Sequence, residues 1–310
     1  MILIFLHIIN FSFSLLQGYD FNIAVCITGQ PSRFLPKLIS PLFESNLDIK
    51  FDLFYNFQQS TELIYTTDSF KSYDPSPYAN FTTSTELENN IKKVYESMIN
   101  VEVVNVQFTI PKTRKEWEKY FNYPALDKIY QYTSIQERIL NMYEKTVNCA
   151  NYIKNYRDAH GKSYDYVIST REDAIVLKEM NLKKLLPMLK SKHFSGPASK
   201  CDILSKDCLS WGGISIRLWL FTEEVGLKFL SSILDWYKEL IRKRRRIFNP
   251  EQFNADHLKH MNLESCGISV NQMPVTAARH TKNENYCFIH QEYNGCIPSG
   301  LEDSILSKKC

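Results

Sequence analysis

Five apolar residues follow one another without interruption in Ile23-Ala-Val-Cys-Ile27, and the run closes on Thr28 and Gly29. A strand with one wet face alternates apolar and polar residues, so a run without alternation must be covered on both faces. An interior strand of a parallel sheet, with helices packed on each side, meets that condition. We therefore read Asn22–Thr28 as a buried parallel strand followed by a turn. Phe51–Asn56, Val101–Phe108, Tyr164–Ser169, Ala174–Leu177 and Trp211–Ile216 read as further strands. Helical periodicity is clearest over Tyr130–Arg157, where Tyr132, Ile135, Ile139, Met142, Tyr143, Val147, Ala150 and Ile153 recur near a 3.6 period. Phe34–Phe43, Ser84–Met98 (capped by Thr85), Leu182–Leu189, Phe221–Arg245 and Pro250–Met261 read as helices too. Gln58–Thr85 and Phe194–Asp207 read as loops, and the chain from Ser269 onward reads as irregular. Strands alternating with helices predict an α/β layered architecture with a mostly parallel central sheet. At 310 residues, 44% hydrophobic and a net charge of +3, the chain is neither disordered, collagenous nor a polytopic membrane protein.

Residues 1–18 carry no charged side chain and are mostly apolar. The block is shorter than the roughly 20 residues of a bilayer-spanning helix and is interrupted by polar side chains. It reads as a secretory signal peptide, cleaved or retained as a signal-anchor, with a buried first strand as the plain alternative. A membrane enters this reading only through an uncleaved anchor, and residues 19–310 form the functional domain. Eight cysteines agree with the lumen of the secretory pathway (Golgi or ER) or with secretion. Cys201 with Cys208 and Cys287 with Cys296 are the local pairs expected, and Cys26 is expected as a buried free thiol. Asn80-Phe-Thr82 is a glycosylation sequon.

The chemistry-bearing stretch is Tyr164-Asp-Tyr-Val-Ile-Ser-Thr-Arg171-Glu-Asp173, where an apolar strand ends in a charged cluster and a second apolar run follows. Ligands of open α/β sheets bind just outside the carboxyl ends of the strands. Glu172 and Asp173 supply hard oxygen ligands suited to Mg²⁺ or Mn²⁺, which would clamp a diphosphate leaving group. Arg171 can pair with the same phosphates. The plain alternative is a solvated salt bridge at a strand end.

The pattern Tyr-Asp-Tyr-Val-Ile-x-x-Arg171-x-Asp173, after a long helix containing Tyr143-Glu144, resembles a group of nucleotide-sugar glycosyltransferases with the GT-A fold. In that group Arg-x-Asp stands in place of a metal-binding Asp-x-Asp. Ile23-Ala-Val-Cys-Ile-Thr-Gly29-Gln30-Pro-Ser-Arg33 is similar to the group's opening strand, whose turn sits over the nucleotide. The resemblance implies close backbone approach at Gly29 and contacts from Gln30 and Arg33 to base or phosphate. Asn249-Pro-Glu251-Gln-Phe253 is similar to an Asn-x-Glu element that leads to a late strand and a terminal Arg or His, here Arg279 and His280. A divalent metal, Mn²⁺ or Mg²⁺, would then sit on Asp173 with Glu172 and His280. Because Arg171 replaces the first carboxylate, it can also take over part of the metal's charge.

Sugar transfer by inversion requires a base for the acceptor hydroxyl. Glu251 and Asp256 are the first candidates, with Asp202 and Asp207 behind them, and a retaining route stays open. Trp211-Gly212-Gly213 offers a stacking ring and a close backbone approach to a sugar, or else a tight turn. The basic run from Lys238 to Arg246 reads as a helix end complementing its dipole, not as a nucleic-acid site. Asp256-His257 with His260 reads as exposed helix polarity. The expected donor is a nucleotide-diphosphate sugar and the expected acceptor a glycan, protein or lipid. The alternative is a secreted, non-catalytic glycan- or protein-binding module that keeps the fold.

Overall fold

The computed structural model describes residues 19–59, 74–123, 136–194, 196–207, 213–243, 245, 249–281, 286–288, 297–301 and 303–304. The proposed signal segment, Trp211, Gly212, Cys208 and Cys296 lie outside them. Among the described residues there are ten strands: β1 Phe21–Gly29, β2 Ile49–Gln58, β3 Val101–Thr109, β4 Tyr166–Arg171, β5 Ala174–Val176, β6 Ile203–Lys206, β7 Leu218–Thr222, β8 Ser265–Ile268, β9 Val275–Arg279 and β10 Cys287–Phe288. The α-helices are α1 Ser40–Glu44, α2 Ser84–Tyr95, α3 Arg114–Phe121, α4 Gln136–His160, α5 Leu182–Leu185, α6 Glu223–Ser231, α7 Ile233–Arg242 and α8 Pro250–His260.

The expected mostly parallel sheet forms, in the order β3-β2-β1-β4-β7-β6-β8. Only β7 runs against the others, pairing antiparallel with both β4 and β6. A second sheet, β10-β9-β5, is antiparallel. The unbroken apolar run of β1 has the predicted cause. Side chains of a strand alternate between faces, and Ile23, Val25 and Ile27 enter one core with Leu42 and Phe43 of α1 and Leu87 and Ile91 of α2. Ala24 and Cys26 enter a second core with Trp117 of α3, Ile139 and Ile153 of α4, Phe229 of α6 and Phe253 of α8.

Several expectations are corrected by pairings that link distant parts of the chain. Cys26 is not a free thiol: it is bonded to Cys149 on α4, 123 residues on. Cys201 bonds Cys266 rather than Cys208, because β6 and β8 are parallel neighbours. Cys287 is also disulfide-bonded. The expected Phe194–Asp207 loop contains β6, and the expected irregular tail contains β9. The expected Phe221–Arg245 helix starts two residues later, because Phe221 and Thr222 end β7, an unforeseen strand lodged between β4 and β6. The helix beyond it breaks at Ser232 into α6 and α7. The cap of α2 is Thr83, which accepts from the Glu86 N–H, two residues ahead of the cap read from sequence. Helix α3, unforeseen, starts on a capping box of Thr113 and Glu116. Among the described residues no helix is long and apolar enough to cross a membrane.

His257 is buried, not exposed. Its ring stacks on Phe229 with centroids 4.7 Å apart, and its Nε2 lies 3.1 Å from Ser232 Oγ. Burial, and secondarily the neighbouring His260, push its pKa down to about 3. Between about pH 6.5 and 3 the unfolded chain takes up a proton that the folded chain refuses, so stability falls as pH falls through that window. From pH 7 to pH 5 the wild type should lose about 2 kcal/mol more than His257→Leu, measured by denaturant unfolding. Parallel losses would show that the imidazole does not carry this acid limb.

Candidate functional site

The chain leaves β1 toward β2 and β3 on one side and returns as β4 on the other, so β1 and β4 diverge at a topological switch point. A crevice opens there at the carboxyl ends of the strands. Thr28 lies in register with Arg171, which places both expected motifs at that crevice. Its cavity, about 210 Å³, is lined by Gly29, Gln30, Arg33, Arg171 and Glu172, together with Gln58 of β2, Met142 and Lys145 of α4, and Pro250 of α8. Sites that bury a whole drug-sized ligand measure roughly 300–1,000 Å³, so a nucleotide sugar would occupy this one only in part.

A Cβ at Gly29 would fall inside the Glu172 carboxylate, so any other residue there would force that side chain away from its place beside Arg33. The Glu172 side chain is buried, its N–H donates to Thr28 O at 3.0 Å, and its carboxylate pairs with Arg33. Gln30 is buried at the rim of the same turn with Oε1 unpartnered.

Asp173 does not line the cavity: it is 1% exposed and lies behind Arg171. Arg171 donates to its Oδ2 at 3.0 Å, Arg279 donates to the same oxygen, and Arg217 stands 3.7 Å from Oδ1. Each arginine arrives by its own strand. Arg171 ends β4, Arg217 precedes β7, and Arg279 ends β9, which pairs antiparallel with β5. Burial alone would raise the Asp173 pKa, but Arg171, Arg279, Arg217 and Arg33 together outweigh it and hold the carboxyl well below its usual range.

This donor set does not fit a divalent ion. Such an ion needs carboxylates it can reach. Among the described residues Glu172 Oε1 and Asp173 Oδ1 accept no hydrogen bond, but both carboxylates lie among guanidiniums that repel a cation, and Asp173 is sealed behind them. His280 follows Arg279 but does not join them: among the described residues no three His, Cys, Asp or Glu side chains stand close enough to hold a metal.

Helix α8 is held over the cleft by Phe253, stacked on Tyr143 of α4 at 4.7 Å. Glu251 lies in its first turn, close enough to Arg171 to favour that guanidinium's charge after desolvation and the Glu172–Asp173 pair are counted. Asp256 is five residues on, about 140° around the helix, and is exposed, so the structure does not bring it to the cleft. Gly213 packs on α8, since a Cβ there would lie 2.9 Å from the Glu251 carbonyl carbon, and its φ of +113° suits glycine alone. Lys145 and Arg217 are absent from the residues expected from sequence. Lys145 could have been flagged as a lone cation within the apolar stripe of α4.

No family model matches the chain, and no curated protein matches it. Solved structures with similar backbones include the apo form of the glycosyltransferase GlyE from Streptococcus pneumoniae TIGR4, at 11% identity and TM-score 0.38, covering 79% of this chain and 45% of that one. This chain thus spans about half the length of GlyE. Mouse xyloside xylosyltransferase 1, apo form, is 12% identical at TM-score 0.41, covering 81% of this chain and 86% of that one. The galactosyltransferase LgtC, in complex with donor and acceptor sugar analogs, is 10% identical at TM-score 0.40, covering 81% and 74% respectively.

Proposed function

We propose that the chain is a glycosyltransferase of the secretory pathway lumen, moving a sugar from a nucleotide-diphosphate donor to a glycan, protein or lipid acceptor. One observation carries this reading: Arg33, Arg171 and Lys145 converge with Gly29 and Gln30 at the switch point of the sheet. A cation-lined crevice at that place suits a diphosphate. When the bond from the anomeric carbon to the phosphate oxygen breaks, negative charge grows on the departing diphosphate. Fixed cations there lower the barrier without reorganising. The acceptor hydroxyl attacks the anomeric carbon, and Glu251 is the carboxylate assigned to take its proton. The disulfides and the exposed Asn80 of the sequon support a lumenal setting.

The test is a transfer and hydrolysis screen with UDP- and GDP-sugars on the purified chain. Arg171→Ala should lower kcat/KM by about 10²–10³. If no nucleotide sugar is bound or turned over, the reading is wrong. One observation favours the non-catalytic alternative, namely that both carboxylates beside Arg171 are neutralised by arginines. Donor binding without any turnover would select it.

A further inference from the structure

Glu172 and Asp173 are paired with arginines, and what the wall around them offers to a ligand is positive charge. Lys145 is 4% exposed, sits on the sheet-facing side of α4, and lines the cavity. Its ammonium donates to Gln58 Oε1 at 3.3 Å, and among the described residues no carboxylate lies within ion-pair distance of it. A buried lysine whose ammonium is hydrogen-bonded only to a neutral amide is costly unless the site is shaped for an anion. Arg33 Nε is buried in the same wall without a partner. Arg33 and Arg171 show side-chain exposures of 15% and 19%, so both guanidiniums reach the cavity, whereas Asp173 behind them is sealed at 0%.

We propose that the cleft neutralises the diphosphate of its donor with Lys145, Arg33 and Arg171 in place of a divalent ion, Lys145 being the residue that completes the set. The proposal rests on the glycosyltransferase reading and deepens it. Asp173 is then a positioning residue: buried among Arg171, Arg217 and Arg279, it aims the guanidinium of Arg171 and touches no ligand.

A consequence for pH follows. Glu172 and Arg171 at the end of β4 and Arg33 after β1 are the charged groups that act on the Lys145 amine. Gln58 of β2 is neutral, and Arg138 stands at the exposed rim on Lys145's own helix. Burial lowers the amine most, Glu172 draws it back up, and Arg33 and Arg171 lower it again, leaving it pushed down to about 7. A bound diphosphate favours the protonated amine. Binding therefore takes up a proton once the pH exceeds about 7, and affinity falls with rising pH by up to about tenfold per unit.

The experiment is calorimetric titration of the full chain with UDP, GDP and inorganic pyrophosphate, in EDTA and in Mn²⁺. The expected result is equal affinity within about twofold in EDTA and Mn²⁺, with binding in EDTA weakening from pH 7 to 8.5. Lys145→Met and Lys145→Gln should each weaken binding about tenfold or more and melt no lower than the wild type, which separates lost binding from lost folding. Binding that appears only with Mn²⁺ overturns the proposal and leaves the glycosyltransferase reading standing. Binding in EDTA that survives both Lys145 variants overturns the assignment of Lys145. No binding of any probe under either condition removes both readings together.

Discussion

Asp173→Asn should cost about 3–5 kcal/mol of folding stability, among the largest effects of any single substitution in this chain. The replacement keeps the volume and removes the charge. Arg171 and Arg279 lose the carboxylate they donate to, and Arg217, 3.7 Å away, loses one counter-charge. Guanidiniums cannot deprotonate to escape the penalty. The pH dependence separates this effect from that of His257. Because the folded Asp173 pKa lies well below its ordinary value, its contribution is complete above about pH 3.9 and is lost only as pH falls further, toward the folded pKa. The His257 limb begins near pH 6.5, so at pH 5 the wild type feels His257 and not Asp173. Denaturant unfolding of wild type and Asp173→Asn at pH 7 and pH 5 checks this. A loss below about 1 kcal/mol would mean that the arginines are solvated well enough to stand alone.

The double variant Cys26→Ala/Cys149→Ala should lose about 5 kcal/mol, the loop-closure entropy of a cross-link spanning 123 residues. The bond ties the central strand β1 to α4, four residues beyond Lys145 on that helix. Nucleotide affinity should therefore fall along with stability, since the bond anchors the helix that carries Lys145 to the strand that ends at Gly29. Melting temperature and calorimetry on the same preparation test both effects. A variant as stable as the wild type would show that packing of the second core fixes α4 without the cross-link.

What sequence could and could not reveal follows from the range of the interactions. The run Ile23–Ile27 exposes its fate because burial on both faces is written in consecutive residues. Gly29, Gln30, Arg33, Arg171 and Glu172 were legible as a candidate cluster because each lies at or just past the end of an apolar strand, and those ends are neighbours in the sheet. Strand order is not written locally. Nothing in Leu218–Phe221 or Val275–Arg279 announces that β7 will pair with β4, or β9 with β5, yet those pairings bring Arg217 and Arg279 to Asp173. The same applies to Cys26–Cys149 and Cys201–Cys266, whose partners look unrelated until the sheet and helices are assembled. Lys145 hid for a different reason. Its position on α4 fits the apolar stripe, and sequence periodicity does not tell a buried cation from one that extends to solvent. The capping box of α3 was a local signal, present in Thr113-Arg-Lys-Glu116 and open to reading.

The separation between Asp173 and Arg279 also sets a clock. The two residues lie 106 positions apart, and a ribosome adding roughly 5–20 residues per second takes about 5–20 s to cover that distance. Throughout that interval the nascent chain presents an Asp173 whose last cationic partner has not yet been synthesised. The electrostatic frame of the cleft is thus closed by a strand made after every strand of the seven-stranded sheet.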